Sequence, residues 1–208
     1  MTRGRFITLE GGEGAGKSTQ ARMLADALRA RGIDVLLTRE PGGTPGAEAI
    51  RSLLLAPPGE GWGARAEALL FAAARADHVA QAILPALDRG SWVICDRFLD
   101  SSRAYQGGGG GLDDADLLEL HRVGSGGLLP DLTLLFDVPP AVTQARLAAR
   151  DGGISDAIGG RGQAYHASVA AEFARMAAAD PARFVTIDGA GNPDAIHQQV
   201  LAAIGRLA

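Results

Sequence analysis

The chain has 208 residues, enough for one well-buried core and short for two, and 47% of them are hydrophobic. A formal net charge of -4 supplies no positive field for nucleic acid, so an anionic partner has to be held by a few local arginines. The single cysteine, Cys95, excludes an internal disulfide, and neither a leader-like N-terminus nor a run of about 20 apolar residues occurs, so the expectation is one soluble cytoplasmic domain over 1–208, with no membrane partner.

Short apolar runs alternate with longer periodic segments, the pattern of an α/β fold with a mostly parallel sheet. The first candidate strand, over 6–9, leads into Gly11-Gly12-Glu13-Gly14-Ala15-Gly16-Lys17-Ser18, followed by Thr19. These residues complete the phosphate-loop pattern G-x-x-x-x-G-K-[ST] between a strand and a helix. Its glycines let backbone N–H groups turn inward around phosphate oxygens, and the helix start adds positive potential. Lys17 is placed to bridge the outer phosphates, and the Ser18 hydroxyl to ligand magnesium. The motif reads as a nucleoside triphosphate site. The helix behind it runs from about 17 to 31, with Ala21, Leu24 and Leu28 on one face and Gly32 as a stop.

The second strand, over 35–38, is followed by Arg39-Glu40-Pro41-Gly42-Gly43-Thr44 and a helix over 47–55. Residues 64–87 form one long helix or two shorter ones, with Pro85 able to kink or end it. The third strand, over 92–95, runs into Asp96-Arg97. Active sites of open parallel sheets gather at such strand ends. There Asp96 can reach magnesium through water, while Arg97 and Arg39 can clamp an acceptor phosphate bidentately. A surface ion pair between Asp96 and Arg97 is the alternative.

Five consecutive glycines, 107–111, read as a surface connection, and Asp113-Asp114-Ala115-Asp116 opens a helix over 113–123. Strands over 132–136 and 184–187 and helices over 141–150, 163–178 and 193–207 complete the set. The glycine-rich stretch 151–162 is expected to be a lid that excludes water from phosphoryl transfer. Neither N-K-x-D, the guanine-specifying pattern of GTPases, nor the L-S-G-G-Q of transporter ATPases occurs. His78, His121, His166 and His197 show no metal-ligand spacing and read as surface or packing residues.

The chain resembles the bacterial thymidylate kinase family over nearly its whole length. The resemblance rests on Glu10 to Thr19, Thr38-Arg39-Glu40-Pro41-Gly42-Gly43-Thr44, Arg51-Ser52-Leu53-Leu54-Leu55 and Leu70-Phe71-Ala72-Ala73-Ala74-Arg75. Asp96-Arg97, Ser101-Ser102, Ala104-Tyr105-Gln106-Gly107 and Pro130-Asp131-Leu132-Thr133 extend it. It implies a P-loop fold with a five-stranded parallel sheet in the order 2-3-1-4-5. The implied activity is magnesium-dependent phosphoryl transfer from ATP to dTMP by a homodimer that supplies dTTP synthesis, and 64–87 is the interface candidate. The nearest alternatives are another nucleoside monophosphate kinase and a slow nucleotide-dependent switch.

The resemblance also assigns roles. Arg97 meets the monophosphate, Phe71 stacks on thymine, Arg75 donates to its O4 edge, and Ser101, Tyr105 and Gln106 belong to the nucleoside pocket. Tyr105 can crowd the 2′ position of the sugar, and Glu13 faces the 3′-hydroxyl. With glycine at position 14, the catalytic arginine should come from the lid region, where Arg146, Arg150 and Arg161 are candidates and Arg150 is taken as catalytic. The family's Asp-Arg-x-Glu lid pattern is replaced by Asp156-Ala157-Ile158-Gly159, so either Arg150 or Arg161 compensates or turnover is slow.

Overall fold

Strands covered on both faces are apolar throughout, and that is what pairs these five runs into one sheet. The computed structural model of the chain describes residues 3–151 and 159–207. Strands β1 (Phe6–Gly11), β2 (Val35–Arg39), β3 (Trp92–Asp96), β4 (Leu132–Asp137) and β5 (Phe184–Asp188) form a sheet of order β2-β3-β1-β4-β5. Every pair is parallel, with Leu9 opposite Asp96 and Arg39 opposite Asp96 in the two ladders that flank the site. Each strand runs one or two residues past its apolar run, so Glu10, Arg39 and Asp96 stand at the carboxyl edge.

Side chains alternate across the sheet. Ile7 and Leu9 face α1 (Lys17–Arg29) and α9 (Pro193–Ile204), packing with Leu24, Leu28 and Val200. Phe6, Val93 and Cys95 face the other layer and pack with Val79, Ile83 and Phe98. The Phe6 and Phe98 rings meet edge to face at 4.9 Å. A third cluster joins Tyr105 and Leu135 to Val169, Phe173 and Met176 of α8 (Gln163–Ala179).

The remaining helices are α2 (Pro45–Leu55), α3 (Ala64–His78), α4 (Leu84–Asp88), α5 (Leu99–Ser102), α6 (Asp114–Ser125) and α7 (Pro140–Asp151). Thr44 caps α2 and Asp113 caps α6 through side-chain acceptors, which stops their first N–H groups from going unpaired. Residues 64–87 are broken upstream of Pro85, not at it. The wide turn Val79–Ile83 joins α3 to α4, with the Leu84 N–H reaching back to Val79 O. A wide turn absorbs the bond that proline cannot donate.

The glycine run is only partly the expected surface connection. Gly107, Gly108 and Gly109 close the wide-helical stretch Arg103–Gly109 that continues α5, and this stretch packs directly on α8. A Cβ on Gly108 would lie 2.6 Å from the Cβ of Glu172, and one on Gly109 would overlap the Tyr165 ring. The glycines are there for close approach between two helices. Of the expected lid, residues 152–158 lie outside the described residues, and Gly159–Gly162 lead into α8.

Candidate active site

One cavity of about 630 Å³ opens at the carboxyl edge of β1, β2 and β3. Its inner end is the phosphate loop. Gly11 leaves β1 at φ 132, where a Cβ would come within 2.5 Å of the Phe136 carbonyl, and Gly14 and Gly16 follow at φ 68 and 92. Gly16 caps α1 without a side-chain acceptor. The first-turn N–H groups of α1 are therefore left for a ligand. Lys17 folds back over the loop and donates to the carbonyls of Gly11 at 3.0 Å and Gly12 at 2.6 Å. Burial, reinforced by the nearby Arg97 cation, pushes its ammonium down to about 7.

Asp96 ends β3 beside that loop, and Arg97 follows it. Ser18 Oγ donates to Asp96 Oδ2 at 2.5 Å, so a hydroxyl and a carboxylate already converge at the loop mouth. Two hard oxygen donors with open space around them suit magnesium, which keeps waters and substrate phosphates as its other ligands. Arg97 is the one described non-glycine residue at positive φ, 70°. Its Nη1 donates to Gly11 O and Ser101 Oγ, both at 3.1 Å, and its Nη2 to Tyr105 Oη at 3.3 Å. The guanidinium also lies over the Tyr105 ring, 4.9 Å from the centroid. Burial opposes its charge, yet Tyr105, Asp96 and Glu10 hold it above the ordinary arginine value. Its side-chain hydrogen-bond partners among the described residues are all neutral.

The bend at Arg97 is secured from below by Glu10. This fully buried carboxyl accepts from Phe98 N at 2.8 Å and Ser101 Oγ at 2.6 Å. Burial, then the charge of Asp100, pushes Glu10 well above the usual carboxylate range. Ser101 lines the cavity, with its hydroxyl committed between Arg97 and Glu10.

Phe71 and Arg75 share a face of α3 and line the outer half of the cavity with Tyr105 and Gln106. No other ring packs on Phe71 among the described residues, which leaves a face for a ligand. Arg75 is 3% exposed, and its Nε and Nη2 are taken by Glu40, Ser102 and the Phe98 carbonyl. Nη1 has no hydrogen-bond partner among the described residues, and Arg75 lines the cavity. Gln106 donates to Glu67 Oε1 at 2.9 Å. Arg39 lines the cavity too, while pairing with Glu48 at 2.9 Å on the exposed edge. Glu13 lies at the loop end, and a side chain on Gly159 would overlap its carboxylate. The residue at the expected glutamate position of the lid is thus a glycine packed against Glu13.

Two of the three candidate arginines have described side chains, and they separate. Arg146 reaches the phosphate loop, with Nη1 3.9 Å from where a Gly16 Cβ would stand and Nη2 on the carbonyls of Gly189 and Gly191 at 2.9 and 3.3 Å. Arg161 is committed elsewhere, to Glu67 and, at 2.7 Å, to Tyr165 Oη. The side chain of Arg150, in the last turn of α7, lies outside the described residues. Sequence reasoning gave no site role to Glu10, Glu40, Glu67 or His78. Each is buried and polar beside an apolar run, the one signal that marked them in advance.

A parallel sheet of this order with a phosphate loop after its central strand defines the P-loop nucleoside triphosphate-binding class, here with a second anion-ready pocket beside the loop. Within that class, the thymidylate kinase family model matches residues 9–200. The chain belongs to the thymidylate kinase family. It is 58% identical to the thymidylate kinase of Rhizorhabdus wittichii, covering 98% of both chains, and 52% identical to that of Bradyrhizobium sp. (strain ORS 278), covering 97% of this chain and 90% of the relative. A crystal structure of thymidylate kinase from Ehrlichia chaffeensis superposes with a TM-score of 0.79 at 32% identity, covering 98% of this chain and 99% of that one.

Proposed function

We propose that the protein transfers the γ-phosphoryl group of ATP to dTMP, giving ADP and dTDP for dTTP synthesis. The observation that carries this reading is Arg97, a cation whose hydrogen-bond partners among the described residues are all neutral, next to the phosphate loop in one cavity with Phe71 and Arg75. Arg97 receives the acceptor phosphate, with Arg39 released from its exposed pair with Glu48 to join it. Loop amides and Lys17 hold the β- and γ-phosphates of the donor. Magnesium held by Ser18 and Asp96 neutralises phosphate charge when bound. Transfer then needs in-line alignment and little covalent help.

Glu13 orients the 3′-hydroxyl, Tyr105 disfavours a 2′-hydroxyl, and Phe71 stacks on the base. Arg146, whose side chain reaches the loop, stands beside Arg150 as a candidate for the catalytic arginine, the Arg150 side chain lying outside the described residues. The reading further includes a single catalytic domain with a lid, a cytoplasmic location and a homodimer. Leu69 on α3 and Leu118 and Val123 on α6 are exposed apolar side chains that a second copy would cover. ADP release measured with dTMP, dUMP, UMP, CMP, AMP and GMP tests the assignment. The expected result is the highest kcat/KM for dTMP, with stoichiometric dTDP. ADP formed at the same rate without any acceptor, or a preference for CMP or a purine, overturns it.

A further inference from the structure

The outer half of the cavity is backed by a run of polar side chains that no transfer step touches. His78, fully buried at the end of α3, makes two contacts. Its Nε2 lies 2.8 Å from Thr38 Oγ, and its Nδ1 lies 3.1 Å from Glu40 Oε1. The other oxygen of Glu40 accepts from Arg75 Nε at 2.8 Å, and Glu40 is 5% exposed. Arg75 Nη2 continues to Ser102 Oγ at 2.8 Å and Phe98 O at 3.1 Å. With a carboxylate as the common acceptor, Glu40 accepts from His78 Nδ1–H and from Arg75 Nε, and in the neutral imidazole Nε2 accepts from the Thr38 hydroxyl. The turn after Glu40 is built against the same groups, since a Cβ on Gly43 would meet both His78 Nε2 and Thr38 Oγ at 2.5 Å.

We propose that Thr38, His78 and Glu40 are positioning residues for acceptor-base selection: they fix the Arg75 guanidinium so that a single donor edge faces the base. The proposal rests on the reading that Arg75 meets the pyrimidine. An arginine is long and rotamer-rich, and a guanidinium free to pivot could swing away from a base edge that presents an amino group. Held on three sides, it cannot. A wrong base then leaves donor facing donor in a buried pocket, which turns a binding contact into discrimination. The carboxylate alone does not suffice, because Glu40 carries its own rotamer freedom until His78 pins the second oxygen.

The test compares the parent with His78→Leu, His78→Asn and Thr38→Val, reading kcat and KM for dTMP, dCMP and ATP together with Tm. His78→Leu removes the donor to Glu40 and should raise the dTMP KM by about tenfold and narrow the dTMP-to-dCMP ratio of kcat/KM, with the ATP KM within about twofold of the parent. His78→Asn keeps an N–H at the place of Nδ1 and should recover most of both losses. Thr38→Val leaves Nδ1–H in place but frees the tautomer, so about a threefold weakening of dTMP alone is expected. Should His78→Leu fail to fold, the Asn and Val variants decide: parental selectivity in Thr38→Val, or an Asn variant that loses ATP and dTMP affinity alike, overturns the proposal. A parent that phosphorylates dTMP selectively while all folded variants match it overturns this proposal alone. A parent that does not phosphorylate dTMP removes the reading beneath it as well.

Discussion

Lys17 sits between two proton states, because burial and Arg97 bring its ammonium down to about 7 while its own loop carbonyls hold its Nζ. A bound triphosphate replaces those carbonyls with negative charge and keeps the ammonium protonated. Above pH 7 the complex therefore carries more protons than the free protein, so binding takes up a proton and affinity falls as pH rises. Between about pH 7.5 and 9, with the γ-phosphate already ionised, ATP affinity should drop by up to about tenfold per unit. Calorimetry in buffers of different ionisation enthalpy measures the uptake directly. Lys17→Met should abolish the uptake and cut kcat by on the order of 100-fold, about 2.7 kcal/mol. The same pH slope in that variant would assign the proton elsewhere. The loop was legible in the sequence because its chemistry is contiguous. Glu10 and Phe98 are 88 positions apart and His78 and Glu40 are 38 apart, so spacing along the chain gives no sign that they meet. The place of Arg97 at a strand end beside the loop was legible, but not its left-handed backbone, which costs about 1–2 kcal/mol and is held by the Glu10 bond to the next amide.

At the level of elements, apolar runs located all five strands because the sheet is covered on both faces. Their last residues were missed because each ladder continues past its apolar run, into Glu10 and Gly11, Arg39 and Asp96 at the cavity and into Asp137 and Asp188 away from it. The stretch Arg103–Gly109 was missed for a different reason. Glycine is a poor helix former, and here packing overrides propensity. That conflict yields a prediction with an unusual sign. Alanine normally stabilises a helix by about 1 kcal/mol over glycine. Gly108→Ala should instead destabilise by about 1–3 kcal/mol, because the Cβ of Glu172 is too close to its own backbone to move aside. Urea denaturation gives the number, and a raised midpoint would show that the two helices are not in contact there. The same variant should weaken dTMP, since the stretch carries Tyr105 and Gln106.

For the molecule as a whole, substrate ends of one cavity should make themselves felt as separate increments of stability. At a hundred times its Kd, either dTMP or a non-hydrolysable ATP analogue alone should add about 2.7 kcal/mol. For a domain of this size that corresponds to a rise in Tm of about 5–11 °C. A shift under about 1 °C with the analogue, at a concentration shown by calorimetry to saturate, would mean that it binds the unfolded chain equally well. The sheet has a further consequence. The phosphate loop leaves β1 and Arg97 follows β3, and those strands are neighbours locked in a single register, Leu9 against Asp96. Adjacent strands stand about 4.8 Å apart and advance about 3.3 Å per residue, whereas reacting atoms must approach within about 3–3.5 Å. The ladder therefore acts as a gauge block between the loop and Arg97. Substitutions at Val93 or Ile94, which line no part of the cavity, can mis-set that gauge and lower kcat while both substrates still bind.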